Sequence, residues 1–200
     1  MKSQGAWKFF VAVGLFVLLM GGVYWWQGHT ETKERLDNQY NGFDFTYSGL
    51  YWTTEIIMRD QPILMTFRYH PRDALNVWKA RTVVDPILKE NPRKIWISLP
   101  PDADPKVVLA GVEIARITGE RHNMLNIPTS SAFSAPLEGF DTPVKTCDDA
   151  TPEEVVLVFV PHEENTIVRD GSCVILTYKN DDDSILVADR YAYMLLQIMN

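Results

Sequence analysis

The sequence predicts an α+β or α/β domain, a β-meander followed by a mixed sheet packed with helices, behind one N-terminal transmembrane helix. Three observations carry this. The run Phe9 to Trp26 (FFVAVGLFVLLMGGVYWW) holds no charged residue. Positions 43–69 are filled by aromatic and β-branched segments separated by turn signals. Further on, short apolar strands alternate with two segments of helical periodicity.

The anchor comes first in the chain. Its 18 residues, at about 1.5 Å each, span roughly 27 Å against a hydrocarbon core of about 30 Å. Tyr24, Trp25 and Trp26 gather at one end and Trp7 lies near the other, where amphipathic rings favour the headgroup layer. A cleaved signal peptide would end in small residues, whereas this run ends in Tyr-Trp-Trp-Gln. Lys2, Lys8 and the amino terminus precede the run, and Lys33 and Arg35 follow it, mixed with Glu31, Glu34 and Asp37. Positive charge near the span favours the N-terminus inside by a narrow margin. The expected organisation is a cytoplasmic tip and anchor at 1–27, a polar tether at 28–40, and a single extracytoplasmic domain at 41–200. Membrane lipid is then the partner of residues 9–26, with protein partners at the cell surface.

Composition narrows the classes. At 46% hydrophobic and 22% charged, the chain is globular rather than disordered. The net charge is −7, and setting aside Lys2 and Lys8 leaves −9 for the remainder. Such a domain repels phosphate backbones, which excludes nucleic acid as a partner.

The elements follow in order. Asn41-Gly42 is a turn signal, and Phe43–Tyr47, Leu50–Met58 and Ile63–Tyr69 read as strands. Lys94–Leu99 (KIWISL) is a short buried strand. Asp104-Pro105 opens a helix as N-cap and first helical residue, and the helix runs to about Thr118 with Gly119 as its stop. Lys106, Glu113, Arg116 and Glu120 are its polar face. Met124–Ile127 reads as another strand and Pro128 to Pro143 as loop. Val155–Val160 (VVLVFV), Thr166–Val168 and Cys173–Tyr178 are strands, Asn180–Asp183 a turn, and Ile185–Val187 a short strand. A C-terminal helix is expected from Asp189.

Two cysteines, Cys147 and Cys173, form an even pair, which fits a disulfide in an oxidising compartment. Neither lies in a Cys-x-x-Cys motif or beside a cysteine-hydrolase signature. His29, His70, His122 and His162 are too widely spaced for a zinc motif, so no metal site is expected, and no cofactor motif appears. Asp148-Asp149 and Asp181-Asp182-Asp183 lack the spacing of an EF-hand loop and read as solvated turns. Ser130, Ser131 and Ser134 have no nucleophile-elbow context. Asp189-Arg190 is the candidate ligand-binding pair: Asp189 complements a helix N-terminus, and Arg190 pairs with an acid or takes a carboxylate or phosphate ligand. No catalytic residue is assigned.

Phe67–Val77 (FRYHPRDALNV), and Cys147 through the terminal DRYAYMLLQI, resemble segments of membrane-anchored archaeal proteins that share this plan of anchor, β-rich region, paired cysteines and Asp-Arg helix. The resemblance covers about half the chain and implies an archaeal cell-surface setting without implying an activity. The function expected is a non-enzymatic interaction, assembly or envelope protein, with Tyr51, Trp52 and Trp78 as a contact patch. The alternative is an extracytoplasmic hydrolase using Asp148, Asp149 or Asp189 with a histidine.

Overall fold

The computed structural model describes residues 20, 38–58, 60–121 and 124–200. Among them no helix is long and apolar enough to cross a membrane. The predicted anchor, apart from Met20, and the interface aromatics Trp7, Tyr24, Trp25 and Trp26 lie outside the described residues.

The chain divides into two compact units, Met1–Asp44 and Phe45–Asn200. In the first, β1 (Gln39–Tyr40) pairs antiparallel with Phe43 and Asp44, the start of β2 (Phe43–Tyr47). Asn41 and Gly42 between them have φ of 48° and 86°. Both central residues of a type I′ turn need that left-handed region, and Asn-Gly is the dipeptide that tolerates it.

The second unit begins with a meander. Residues Phe45–Tyr47 of β2, β3 (Trp52–Met58) and β4 (Gln61–Phe67) pair antiparallel in succession. One face carries Phe45, Thr54, Ile56, Met65 and Phe67, all buried, as period-two alternation requires. A six-stranded sheet follows, in the order β5 (Trp78–Lys79), β9 (Thr166–Asp170), β10 (Cys173–Tyr178), β8 (Glu154–Pro161), β6 (Lys94–Leu99), β7 (Thr129–Phe133). Only the β9–β10 pair is antiparallel. β10 is thus inserted between β8 and β9, the two strands that precede it in the chain.

The sheet has two unlike faces. Ile95, Ile97, Val155, Leu157, Phe159, Val174, Leu176 and Tyr178 point to one, none more than 4% exposed. Burial of each such side chain contributes about 1.5–3 kcal/mol. Helices α2 (Pro105–Thr118) and α3 (Asp181–Leu195) cover this face and pack against each other, with the short α1 (Asp85–Leu88) ahead of them. The other face carries Trp96, Ser98, Val156, Val158, Cys173 and Ile175 and is crossed by the segment containing Cys147 and Ala150. α3 also reaches the meander: Tyr193 lies 4.2 Å from Phe67 and 6.0 Å from Phe45, ring to ring, and donates to the Tyr69 carbonyl at 2.6 Å.

Three expectations are corrected. Asn180–Asp183 is not a turn and Ile185–Val187 not a strand, because one helix runs from Asp181 to Leu195. Asn180 caps it by accepting the Asp183 N–H at 3.0 Å, and the three aspartates occupy the first turn, where the helix dipole favours them. Asp189 therefore sits in the third turn, not at the N-terminus. Met124–Ile127 is irregular, and the strand forms at Thr129–Phe133, inside the stretch read as loop. On α2 the polar face is broken: Glu113 is buried, while Val108 and Val112 are 44% and 48% exposed. At the predicted C-terminal stop, Gly119 has φ −74°, so that helix ends without a left-handed residue.

Candidate functional site

Asp189 has no exposed surface. One of its oxygens, Oδ2, accepts the backbone N–H groups of Arg68 and Tyr69, both at 2.9 Å, and fastens the end of β4 to α3. Its Oδ1 has no hydrogen-bond partner. Burial pushes this carboxyl up to about 8; the Tyr69 N–H opposes the shift and the nearby Glu113 adds to it. Burial therefore favours the neutral acid over the carboxylate. Burial likewise raises Glu113, against the pull of Arg116, whose Nη2 lies 2.8 Å from Glu113 Oε2. Arg116 also donates to the Thr66 hydroxyl and carbonyl at 3.1 and 2.6 Å. The result is a polar joint between α2, α3 and the edge of the meander.

Arg190 does not share that joint. Its guanidinium, 6% exposed, donates to Met199 Sδ at 3.0 Å and to the Asn200 carbonyl at 3.4 Å. Neighbours on a helix diverge by about 100°, so Asp189 and Arg190 face different surroundings.

Cys147, in a 3₁₀ turn before β8, is bonded to Cys173 at the start of β10, with an S–S distance of 2.10 Å and a Cα separation of 5.2 Å. Asp148 and Asp149 are exposed in that same turn. The Thr146 backbone N–H, at 2.8 Å, and hydroxyl hold Asp149 below the usual carboxylate range. His70 is buried against Phe45 and Trp52, with ring centroids 5.0 and 4.7 Å away. His162 is exposed and accepts the Glu164 N–H. His29 and His122 lie outside the described residues. Among the described residues, the acids and histidines singled out from the sequence are therefore not brought together. Among the described residues no group of three or more His, Cys, Asp or Glu side chains is placed to hold a metal ion. Of the predicted contact aromatics, Trp78 is 60% exposed, while Tyr51 and Trp52 are half-buried.

Two features were missed in the sequence. On the sheet face opposite the helices, Lys94 and Lys145 place their ammonium groups 4.7 and 5.1 Å from the Trp96 ring centroid. The Trp96 indole N–H donates to Glu154 at 2.9 Å, Lys145 lies 3.5 Å from the same oxygen, and Lys94 donates to the Ser130 hydroxyl at 2.5 Å. The indole bond, with both lysines, lowers the Glu154 pKa. Lys94, Trp96, Ser130 and Glu154 sit at alternate positions of three strands, so only the register assembles them. The second feature is a groove of about 290 Å³ between α2 and β7, lined by Val108, Gly111, Val112 and Ala115 over Ile97 and Leu99. Its sequence signal was the valine pair at i and i+4 on an apolar helix surface wide enough to suggest full cover by a sheet, which these two valines do not receive.

No family model matches the chain, and no curated protein and no solved structure matches it.

Proposed function

We propose that the chain is a membrane-tethered, extracytoplasmic interaction or assembly module of the cell envelope, with residues 9–26 as its anchor and the archaeal surface as its setting. The apolar groove beside α2 carries the reading. Val108 and Val112 are exposed one turn apart next to a concavity whose lining includes no charged residue. On a domain that hides Phe67, Leu157 and Tyr191 almost completely, an apolar groove flanked by exposed valines supports a contact surface here. The Cys147–Cys173 bond is consistent with an oxidising compartment outside the cytoplasm. Among the described residues the acids of the hydrolase alternative do not converge: Asp148 and Asp149 lie on the surface, while Asp189 is enclosed and tied to the Arg68 and Tyr69 amides.

Gentle-detergent co-purification from native membranes tests the reading, with a Val108→Asp/Val112→Asp variant as control. A partner retained by the native chain and lost by the variant is expected. Recovery of the native chain as a bare monomer overturns the reading. Labelling of intact cells with a membrane-impermeant thiol reagent tests the location: both cysteines should react only after reduction, and reaction only after lysis would place the domain inside.

A further inference from the structure

We infer that the exposed edge of β7, together with the α2 groove, is a strand-addition site for an extended, uncharged polypeptide segment of a partner protein. The inference rests on the interaction reading and gives it a mode. In the parallel β6–β7 pair, the Ile95 N–H donates to the Pro128 carbonyl at 2.9 Å and the Ser134 N–H to the Leu99 carbonyl at 2.8 Å. Peptide groups alternate sides along a strand, so residues 128, 130, 132 and 134 face β6, and Thr129, Ser131 and Phe133 face outward. Phe133 confirms the alternation. Its N–H donates to Pro143 at 2.8 Å and its carbonyl accepts from Lys145 at 2.9 Å, in a parallel bridge with Val144. Residues 143–145 thus already occupy the far end of this edge. The outward backbone groups of Thr129 and Ser131 meet no other backbone group among the described residues.

The side chains supply the second half of the site. Register puts Thr129 and Ser131 on the helix side of the sheet, where they border the groove formed by α2 over Ile97 and Leu99. A strand laid along Thr129 and Ser131 would gain main-chain bonds from the edge and send alternate side chains toward the groove, the arrangement by which sheets accept added strands. Because neither the bare edge nor the groove carries a charged residue, a charged side chain there would lose water without gaining a partner. Aliphatic residues at alternate positions are what fit. The other edge strands among the described residues are less suited: β4 carries Pro62, which has no N–H to offer, and β1 and β5 are each two residues long. A second copy pairing through its own β7 would present Thr129 and Ser131, which do not fill an apolar groove.

The full-length chain in nanodiscs, titrated with a blocked heptapeptide of alternating threonine and valine, tests this by amide hydrogen exchange. Exchange at Thr129 and Ser131 should slow by about tenfold or more, as newly bonded amides do, and the Val108 and Val112 methyl resonances should shift. A twin peptide N-methylated at alternate residues should do neither. Ser131→Pro removes an N–H that β6 does not use, so it should keep the fold and lose the peptide; Val112→Asp should lose the peptide with β7 intact. Equal protection by the N-methylated twin, no protection at saturating peptide, or peptide-free self-association through β7 each overturns the proposal. A partner still co-purifying in the face of such a result would leave the interaction reading standing and move its contact elsewhere.

Discussion

The two faces of the six-stranded sheet are closed by different means. On the helix side, Ile95, Leu157, Phe159 and Leu176 lie under α2 and α3, and burial holds the layers together, with the Thr129 hydroxyl donating to the Thr118 hydroxyl at 3.0 Å between β7 and α2. On the opposite side, among the described residues, no α-helix covers the sheet; a segment around Cys147 crosses it, fixed by one disulfide and by the Ser98 hydroxyl donating to the Lys145 carbonyl at 2.6 Å. Its apolar cluster is small, Val156, Val158 and Cys173 with half-buried neighbours. A face too small to bury its cover by apolar area is closed covalently, as very small domains are.

Substitutions on each face can break this contrast. Phe159→Ala, 1% exposed on the helix side, should cost about 3–5 kcal/mol in denaturant unfolding. If it costs no more than a surface change, the helix face is not the main core. Cys147→Ala with Cys173→Ala opens a loop of sequence separation 26 and should lower stability by about 3.5 kcal/mol in the chain-entropy model. The loss should appear equally in the reduced native protein, and its absence would assign closure to the lysine–tryptophan network.

Asp189→Asn sharpens the contrast through pH. The folded carboxyl titrates near 8, well above its unfolded value, so between about pH 4 and 8 the unfolded chain releases a proton that the folded one keeps. This contribution is whole below about pH 4 and lost as pH rises through 8. The variant should match the native protein near pH 4 and surpass it increasingly toward pH 8; parallel stability–pH curves would show that Asp189 is not held neutral. The smallest effect is expected at the cap of α3, where Asn180→Ala removes the bond to the Asp183 N–H and should cost about 1 kcal/mol.

Legibility in the sequence varied on both faces. Strands Phe43–Tyr47, Lys94–Leu99 and Cys173–Tyr178, and the helix opened by Asp104-Pro105, stand where pattern and capping place them. The cysteine pair was legible because only one pairing exists. The last helix was cut short because three consecutive aspartates resemble a turn, although after Asn180 they equally suit a first helical turn. β7 was invisible because Thr-Ser-Ser-Ala-Phe has the composition of a loop, and its pairing with β6 decides it. For Asp189 the residue type was found but its setting was not. The sequence reading put Asp189 at a helix N-terminus, whereas it lies within the helix and its oxygen is held by the distant Arg68 and Tyr69 amides, which no local pattern shows.

The insertion of β10 between β8 and β9 has a consequence for synthesis. A chain made from its N-terminus releases β8 and β9 while the strand that separates them is still unmade. VVLVFV, a long uncharged β-forming stretch, then has no neighbour on that side and resembles the segments that seed aggregation. Completing the sheet requires β8 and β9 to hold a gap one strand wide, or to assemble only once residues 173–178 arrive. Postponing the decisive strand leaves the six-stranded sheet open until nearly all of the domain has been made.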